Sequence, residues 1–223
     1  MLDVFHIAKP QGCDIQTFYG NQSTANFAQY SWTKPRGISN IYMLLIGGGG
    51  NGNGTNGGGS GAVTVWYGSA QNVPDNLLIY PSRGGNQDTT VRYQTSISTP
   101  VILLTAQTAT TSVAGAATAA NQFAASGFYQ SIAGQAGSTS DQTASATTFL
   151  SGGNGPGGIG VITANYGYSR GPGSGFFQLQ PIIVGVGGCN GSGSRGGIGC
   201  GSDASAVAPG ATGGPGMVLI ASW

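Results

Sequence analysis

The chain has 223 residues, of which 43 are Gly and 10 are Pro, and only seven Lys or Arg and six Asp carry charge, for a net charge of +1. This composition excludes a highly charged disordered chain, a nucleic-acid-binding protein, which needs a basic surface, and collagen, which needs Gly at every third position. The length fits one domain, or one domain with an insertion.

The first 30 residues are of mixed composition and include several aromatic and aliphatic side chains. They contain no apolar run typical of a signal peptide, and no part of the chain reaches the roughly 18 apolar residues of a membrane span. We therefore expect a protein that is made in a cytoplasm and is not inserted into a membrane. We interpret residues 1–30 as an N-terminal arm and residues 31–223 as the folded domain.

Nine short apolar or alternating segments separated by Gly, Pro and Asn predict β-strands. These are residues 41–46, 62–67, 77–80, 89–93, 101–105, 159–163, 176–179, 182–186 and 217–223. Many short strands of this kind indicate an all-β protein, an antiparallel β-sandwich or jelly roll. The apolar side chains expected in its core are Leu44, Ile46, Val63, Val65, Leu78, Ile102, Leu104, Ile183 and Val218.

Residues 105–150 differ from the rest because they are rich in Ala, Thr and Ser and poor in Gly. The Ala-rich part at 114–126 is compatible with a helix, which would lie within residues 112–135. The alternative is a loop or an extra hairpin projecting from the sandwich. We therefore expect an insertion at about 105–150 that is either a short helix or a Thr/Ala-rich loop or hairpin.

Four glycine-rich blocks lie between the predicted strands, at residues 47–61, 152–158, 187–199 and 210–216. They are either flexible loops or packed polyglycine helices of the polyproline-II type. Such helices have three residues per turn and no internal hydrogen bonds, so their amides must bond to neighbouring helices. Ordering Gly is entropically expensive, and several blocks in one chain supply one another with partners. We favour the packed arrangement.

The segment from Ser31 to Gly50 reads aromatic-Thr-x-Pro-x-Gly, followed by a hydrophobic strand that runs into consecutive Gly residues. Gly58-Gly-Ser-Gly before an alternating strand, and Gly213-Gly-Pro-Gly before an aliphatic strand that ends in Trp223, continue the pattern. These motifs resemble the glycine-rich domain of phage tail-fibre and other virion proteins, over about residues 31–93 and 151–223. The turn at 80–85 departs from the pattern of that family.

The resemblance implies a structural protein of the virion surface, such as a capsid decoration, vertex or fibre component that acts by protein–protein packing. The near-zero net charge and the apolar side chains of the arm predict a homo-oligomer to which the arm contributes. The resemblance implies that this oligomer is a trimer and that other virion proteins are its partners. The alternative is a receptor-binding adhesin at a tail-fibre tip that recognises a polysaccharide or protein of the host surface. The aromatic residues that would contact such a ligand are Tyr129, Tyr166, Tyr168, Phe176 and Phe177.

Catalytic motifs are weak throughout the sequence. His6 is the single histidine, and Gly167-Tyr-Ser-Arg-Gly171 matches a nucleophile elbow in letters but is followed by Pro172, which does not open the required helix. Cys189 and Cys200 flank a Gly/Ser-rich segment and admit a disulfide, but an odd number of Cys and no export signal favour free thiols. We expect no enzymatic activity, no cofactor and no metal site.

Overall fold

The computed structural model describes residues 14–21, 28–52, 56–85, 87–94, 99–110, 113–137, 175–179, 182–186, 198–199, 201–202 and 212–223. Within these ranges the protein is built from strands and two short 3-10 turns, with no α-helix. It is an all-β protein, as the sequence predicts.

Eleven strands form three antiparallel sheets. Their bounds are β1 Asp14–Tyr19, β2 Tyr30–Thr33, β3 Asn40–Ile46, β4 Val63–Ser69, β5 Asn76–Tyr80, β6 Thr89–Tyr93, β7 Val101–Ala106, β8 Phe128–Ile132, β9 Gly175–Leu179, β10 Ile182–Val186 and β11 Met217–Ser222. The strand orders are β1-β11-β3-β4-β8 in the larger sheet, β2-β5-β6-β7 in the smaller sheet and β10-β9 in a hairpin.

The larger and smaller sheets pack face to face around one hydrophobic core, so the fold is a β-sandwich. Ile41, Met43 and Leu45 of β3 meet Leu77 and Ile79 of β5 there, and each is at most 1% exposed. Because successive residues of a strand point to opposite faces, these alternate residues bring one face of each sheet into the core.

A second apolar cluster lies on the other face of the larger sheet. It contains Leu44 and Ile46 of β3 and Met217 and Leu219 of β11, all at most 2% exposed. Both faces of the two central strands are therefore buried, which explains why residues 41–46 form a continuous apolar run rather than an alternating one.

The two ends of the sandwich carry different connections between strands. Strands β3, β5, β7 and β8 end where β4, β6 and β11 begin, and the glycine-rich segments attach at this end. The opposite end carries the β2–β3 and β4–β5 connections and the last described residue, Trp223. The fold thus gathers the glycine-rich segments at one pole of the molecule.

Three strands lie where the sequence predicted none: β1, β2 and β8. β1 falls within the segment 1–30 interpreted as an arm, and it pairs with β11 along its whole length. β8 falls within the expected insertion at 105–150, and it pairs with β4. The predicted strand at 159–163 lies outside the described residues.

The helix expected within 112–135 is wrong for the described residues 113–137. Only Ala124–Ser126 forms a 3-10 turn there, and the strand β8 follows it. The Ala-rich segment instead runs along the edge of the smaller sheet, where the side chains of Thr118 and Asn121 donate hydrogen bonds to backbone carbonyls of β7. The alternative of a loop or projecting hairpin is right only in excluding a helix, because β8 pairs with β4 within the larger sheet.

Of the nine expected core residues, Leu44, Ile46, Val63, Leu104 and Val218 are buried. Val65 and Leu78 are half-buried. Ile102 is 45% exposed, so its prediction is wrong. The cause is a β-bulge: β7 has one extra residue opposite the Val91–Arg92 step, which places Ile102 and Leu104 on different faces. The side chain of Ile183 lies outside the description.

Candidate functional site

Glycine-rich segments at one end of the sandwich bond there to one another and to two segments of other composition. We call all of them together the glycine bundle: residues 47–52, 57–62, 134–137, 198–199, 201–202 and 212–216, with the segments 107–110 and 113–116. The bundle is the feature that sets this sandwich apart from an ordinary one, because it is an ordered extension held together mainly by backbone groups.

The segment 57–62 lies at the centre of the glycine bundle. N–H groups three residues apart in it donate to carbonyls of the same neighbour. Gly58 and Gly61 donate to Ser202 and Gly199 on one neighbour. Gly59 and Ala62 donate to Thr110 and Gln107 on another. Ser60, between them, donates to Gln135 on a third neighbour at 2.8 Å. A period of three residues is that of a polyproline-II-type helix, in which successive amides point in three directions.

The segment 47–50 shows the same period. Gly47 and Gly50 both donate to segment 57–62, reaching Ala62 and Gly59 at 2.8 Å. Gly49, between them, donates to Gly214 at 2.9 Å. The packed arrangement is therefore confirmed for the described parts of blocks 47–61 and 210–216. Only Ile198 and Gly199 of block 187–199 are described, and block 152–158 lies outside the described residues.

Close approach of backbones explains why these segments consist of Gly. A β-carbon added at Gly50, Gly58, Gly61 or Gly213 would lie closer than 3.0 Å to a backbone carbonyl of a neighbouring segment. Of the described glycines, only Gly37, Gly85 and Gly199 have a positive φ. Within the bundle, glycine is thus needed mainly for space rather than for left-handed backbone geometry.

Hydroxyl side chains join the glycine bundle to the sandwich. Thr89 of β6 accepts a hydrogen bond from the N–H of Ser82 at 3.0 Å and donates to the carbonyl of Ile46 at 2.8 Å, where β3 enters the bundle. Thr108 accepts from the N–H of Gly48 at 3.1 Å and donates to the hydroxyl of Ser82 at 2.9 Å. These bonds satisfy backbone groups that pairing between strands no longer reaches.

The aromatic residues proposed for ligand contact are not assembled into a site by the described structure. Tyr129 is half-buried against the hydrophobic core between the two sheets, and its hydroxyl donates to the carbonyl of Thr118 at 2.8 Å. Phe176 and Phe177 lie on β9, whose side chains are outside the description, as are Tyr166 and Tyr168. Tyr129 therefore has a structural role, and no described contact bears on the other four.

An open cleft of about 440 Å³ lies at the opposite end of the sandwich, between the β2–β3 loop and the turn after β4. The ammonium group of Lys34 is committed to the structure there, because it bonds to the carbonyl of Val73 at 2.7 Å and to the Asp75 carboxylate at 2.8 Å. Arg36 is exposed beside Gly37, whose φ is +79°. The charges of the cleft therefore serve mainly to fix the loops.

The outer face of the smaller sheet carries an oriented cation that the sequence analysis did not single out. The guanidinium of Arg92 lies 4.6 Å from the ring centroid of Tyr80, and its Nε donates to the hydroxyl of Thr90 at 2.8 Å. Cross-strand neighbours create this arrangement, since Tyr80 pairs with Thr90 and Leu78 with Arg92. No local sequence signal reveals such a pairing.

Ionisable groups give little indication of catalytic chemistry in the described part of the chain. Burial raises the pKa of Tyr42 to about 12. Among the described residues, no group of three or more His, Cys, Asp or Glu side chains is placed to hold a metal ion. The helical segments described here include none that is long and apolar enough to cross a membrane. His6, Cys13, Cys189 and Cys200 lie outside the described residues.

Comparisons with known proteins do not add a family. No model of a protein family matches the chain, and no curated protein matches it either.

Proposed function

We propose that the protein is a structural component of a virion surface, such as a capsid decoration, vertex or fibre protein, that acts by packing against itself and other virion proteins. The observation that carries the proposal is the glycine bundle, in which backbone hydrogen bonds extend the sandwich into a rigid body. Its segments pack too closely for side chains at many positions. A shape built in this way suits a protein whose task is mechanical.

The low charge of the chain supports the same proposal. A net charge of +1 gives little repulsion between copies, which favours association. The proposal therefore includes a homo-oligomer, for which the resemblance implies a trimer, and jelly-roll connectivity of the sandwich. It places the protein on the particle after synthesis in the host cytoplasm, with no enzymatic activity, no cofactor and no nucleic-acid partner.

The proposal is tested on particles purified from infected cells. Mass spectrometry should detect the protein in gradient-purified particles. An antibody raised against the full chain should label intact particles in immunogold electron microscopy. A matched label against an internal particle protein should appear only on broken particles. Absence of the protein from purified particles would contradict the proposal.

A receptor-binding adhesin is the second candidate, and the direction of the glycine segments favours it. The chain leaves β3 through residues 47–52 and returns to β4 through 57–62, so the described ends of these segments, Gly52 and Gly57, lie at the far side of the bundle from the strands. Connections held at the tip of a rigid body are well placed to contact a host glycan or protein. Tyr166, Tyr168, Phe176 and Phe177 remain the proposed contacts.

Competition for adsorption separates the two candidates. Purified protein added to host cells should block adsorption of the virus if the protein is an adhesin, and a Tyr168→Ala variant should block less effectively. A surface component without receptor contact should leave adsorption unchanged. The two outcomes exclude one another at saturating protein.

A further inference from the structure

The edges of the sandwich differ in how they are protected. An edge strand exposes unpaired N–H and C=O groups, and proteins shield such edges with charge, Pro, short strands or covering segments. β7 is covered by the side chains of Thr118 and Asn121, which donate to the carbonyls of Thr105 and Leu103 at 3.0 Å. β2 has only four residues and ends just before Lys34 and Pro35, and β1 begins with Asp14.

In the described ranges, the backbone edge of β8 lacks such protection, because the segment that covers β7 hydrogen-bonds to β8 only at the side chains of Ser131 and Tyr129, through Thr118. It reads Phe128-Tyr-Gln-Ser-Ile132, without charge or Pro, and it forms the outer edge of the larger sheet. Within the described ranges, β8 pairs with no strand other than β4. Phe128 is 59% exposed, and Gln130 is exposed as well. A neutral, unshielded edge of this kind is a template for another strand.

The order of side chains along β8 is symmetric about Gln130. Phe128, Gln130 and Ile132 share the outer face with Tyr67, Val65 and Val63, the residues they pair with on β4. An antiparallel copy of the strand centred on Gln130 would place Phe128 opposite Ile132 of the second copy, and Gln130 opposite its own counterpart. Apolar groups would then meet apolar groups, and one amide would meet another. This is the self-complementarity that a two-fold interface requires.

We propose that β8 pairs antiparallel with β8 of a second copy of this chain, with the two-fold axis at Gln130, and joins two five-stranded sheets into one. The inference rests on the self-association included in the proposed function and names its interface. Because an isologous contact closes on two copies, it predicts a dimer, or an assembly of dimers, in place of a trimer.

The test places charges on the two-fold axis. Gln130→Lys and Gln130→Glu each bring like charges face to face, so each variant alone should raise the dissociation constant of the dimer by about tenfold or more. An equimolar mixture of the two variants should restore the dimer, because Lys then faces Glu. Sedimentation velocity measures the oligomeric state of each variant and of the mixture. The full chain is used at concentrations up to about 100 µM, the range in which a weak interface is populated. Restoration by mixing also shows that both variants are folded.

Gln71→Lys is the matched control, since Gln71 is an exposed glutamine away from β8. It should sediment as the wild type does. A monomeric wild type at every concentration would overturn both the β8 interface and self-association. An oligomer that neither Gln130 variant weakens, or that Gln71→Lys weakens equally, would overturn the β8 interface and leave self-association standing.

Discussion

Gly61 and Gly37 lack a side chain for different reasons. Gly61 donates to Gly199 at 2.8 Å, and an added β-carbon there would lie closer than 3.0 Å to backbone atoms of Gly47 and Gly48. Gly37 has a φ of +79°, but nothing lies within 4 Å of its absent β-carbon. The first position requires space, and the second requires a left-handed backbone.

Gly61→Ala should therefore destabilise the protein much more than Gly37→Ala. The added methyl group at 61 forces two backbones apart, with an expected loss of at least about 3 kcal/mol in the free energy of unfolding. At Gly37 the strain of a left-handed Ala should be about 1–2 kcal/mol. Urea denaturation of the two variants measures the difference. Equal losses would show that segment 57–62 yields like a loop.

The half-buried phenol of Tyr42 makes stability depend on alkaline pH. Burial raises its pKa from 10.0 to about 12, so ionisation is easier in the unfolded chain than in the folded one. The contribution is complete below pH 10 and is lost as the pH rises towards 12, with about 1.4 kcal/mol lost at pH 11. Urea denaturation at pH 8 and pH 11 should show this loss in the wild type.

Tyr42→Phe removes the ionisable group and should reduce the difference in stability between pH 8 and pH 11 by the same amount. Tyr19→Phe is a suitable control, because Tyr19 is 45% exposed. If both variants keep the full pH dependence of the wild type, another group is responsible for it.

At the scale of the element, β7 shows how one bulge reverses the burial of a side chain. Its run Val101-Ile-Leu-Leu-Thr-Ala106 would place residues 102 and 104 on one face if it were regular. Because the extra residue lies between Ile102 and Leu104, the two point in opposite directions. Leu103 and Leu104 are both buried, and Ile102 is exposed.

Alanine substitutions in β7 should reproduce this pattern. Leu104→Ala should lower the free energy of unfolding by about 2–5 kcal/mol, because Leu104 is 2% exposed and its removal leaves a cavity. Ile102→Ala should cost under about 1 kcal/mol, because its side chain is largely in water. Guanidinium denaturation of both variants is the measurement. A larger loss for Ile102 would mean that β7 pairs in the regular register.

The strands that the sequence predicted and those that it missed differ in composition. Residues 41–46 and 89–93 are aliphatic or β-branched, and the structure has strands there. β1 and β8 contain several strand-favouring residues, but neither forms an apolar run or a regular alternation of apolar and polar side chains, so no pattern marks them as strands. Their pairing with β11 and β4 determines their conformation. For the same reason the sequence suggested Tyr129 as a ligand contact, whereas pairing of β8 turns it towards Thr118.

At the scale of the whole molecule, sandwich and glycine bundle are interleaved along the chain. Segments of the bundle connect β3 to β4 and precede β11, and they bond to residues that are distant in sequence, as Gly49 does to Gly214. These hydrogen bonds and the alternation along the chain connect the two parts at many points. We therefore expect both to unfold in one cooperative transition.

Two N-terminal deletions should distinguish the contribution of β1 to stability from that of residues 1–13. Deletion of residues 1–28 removes β1 and uncovers the edge of β11, which should lower the melting temperature. Deletion of residues 1–13 keeps β1, so it should lower the melting temperature less than deletion of residues 1–28 does. Differential scanning calorimetry compares the two proteins. A deletion of 1–28 that melts as the wild type does would show that β1 adds nothing to the sandwich.

The sequence by itself determined that the protein is all-β, and it favoured packing of the glycine blocks over flexible loops. Both conclusions come from composition. Apolar runs bounded by Gly and Pro favour strands, and consecutive Gly residues, which have no side chains, allow backbones to contact one another closely. Only the tertiary structure decided which segments are neighbours in the bundle, which described strands lie at the edges of the sandwich and which side of β7 is buried. Those outcomes depend on pairing between residues such as Gly61 and Gly199, or Arg92 and Ile102, that lie apart in the chain. Local propensity contains no term for such pairs.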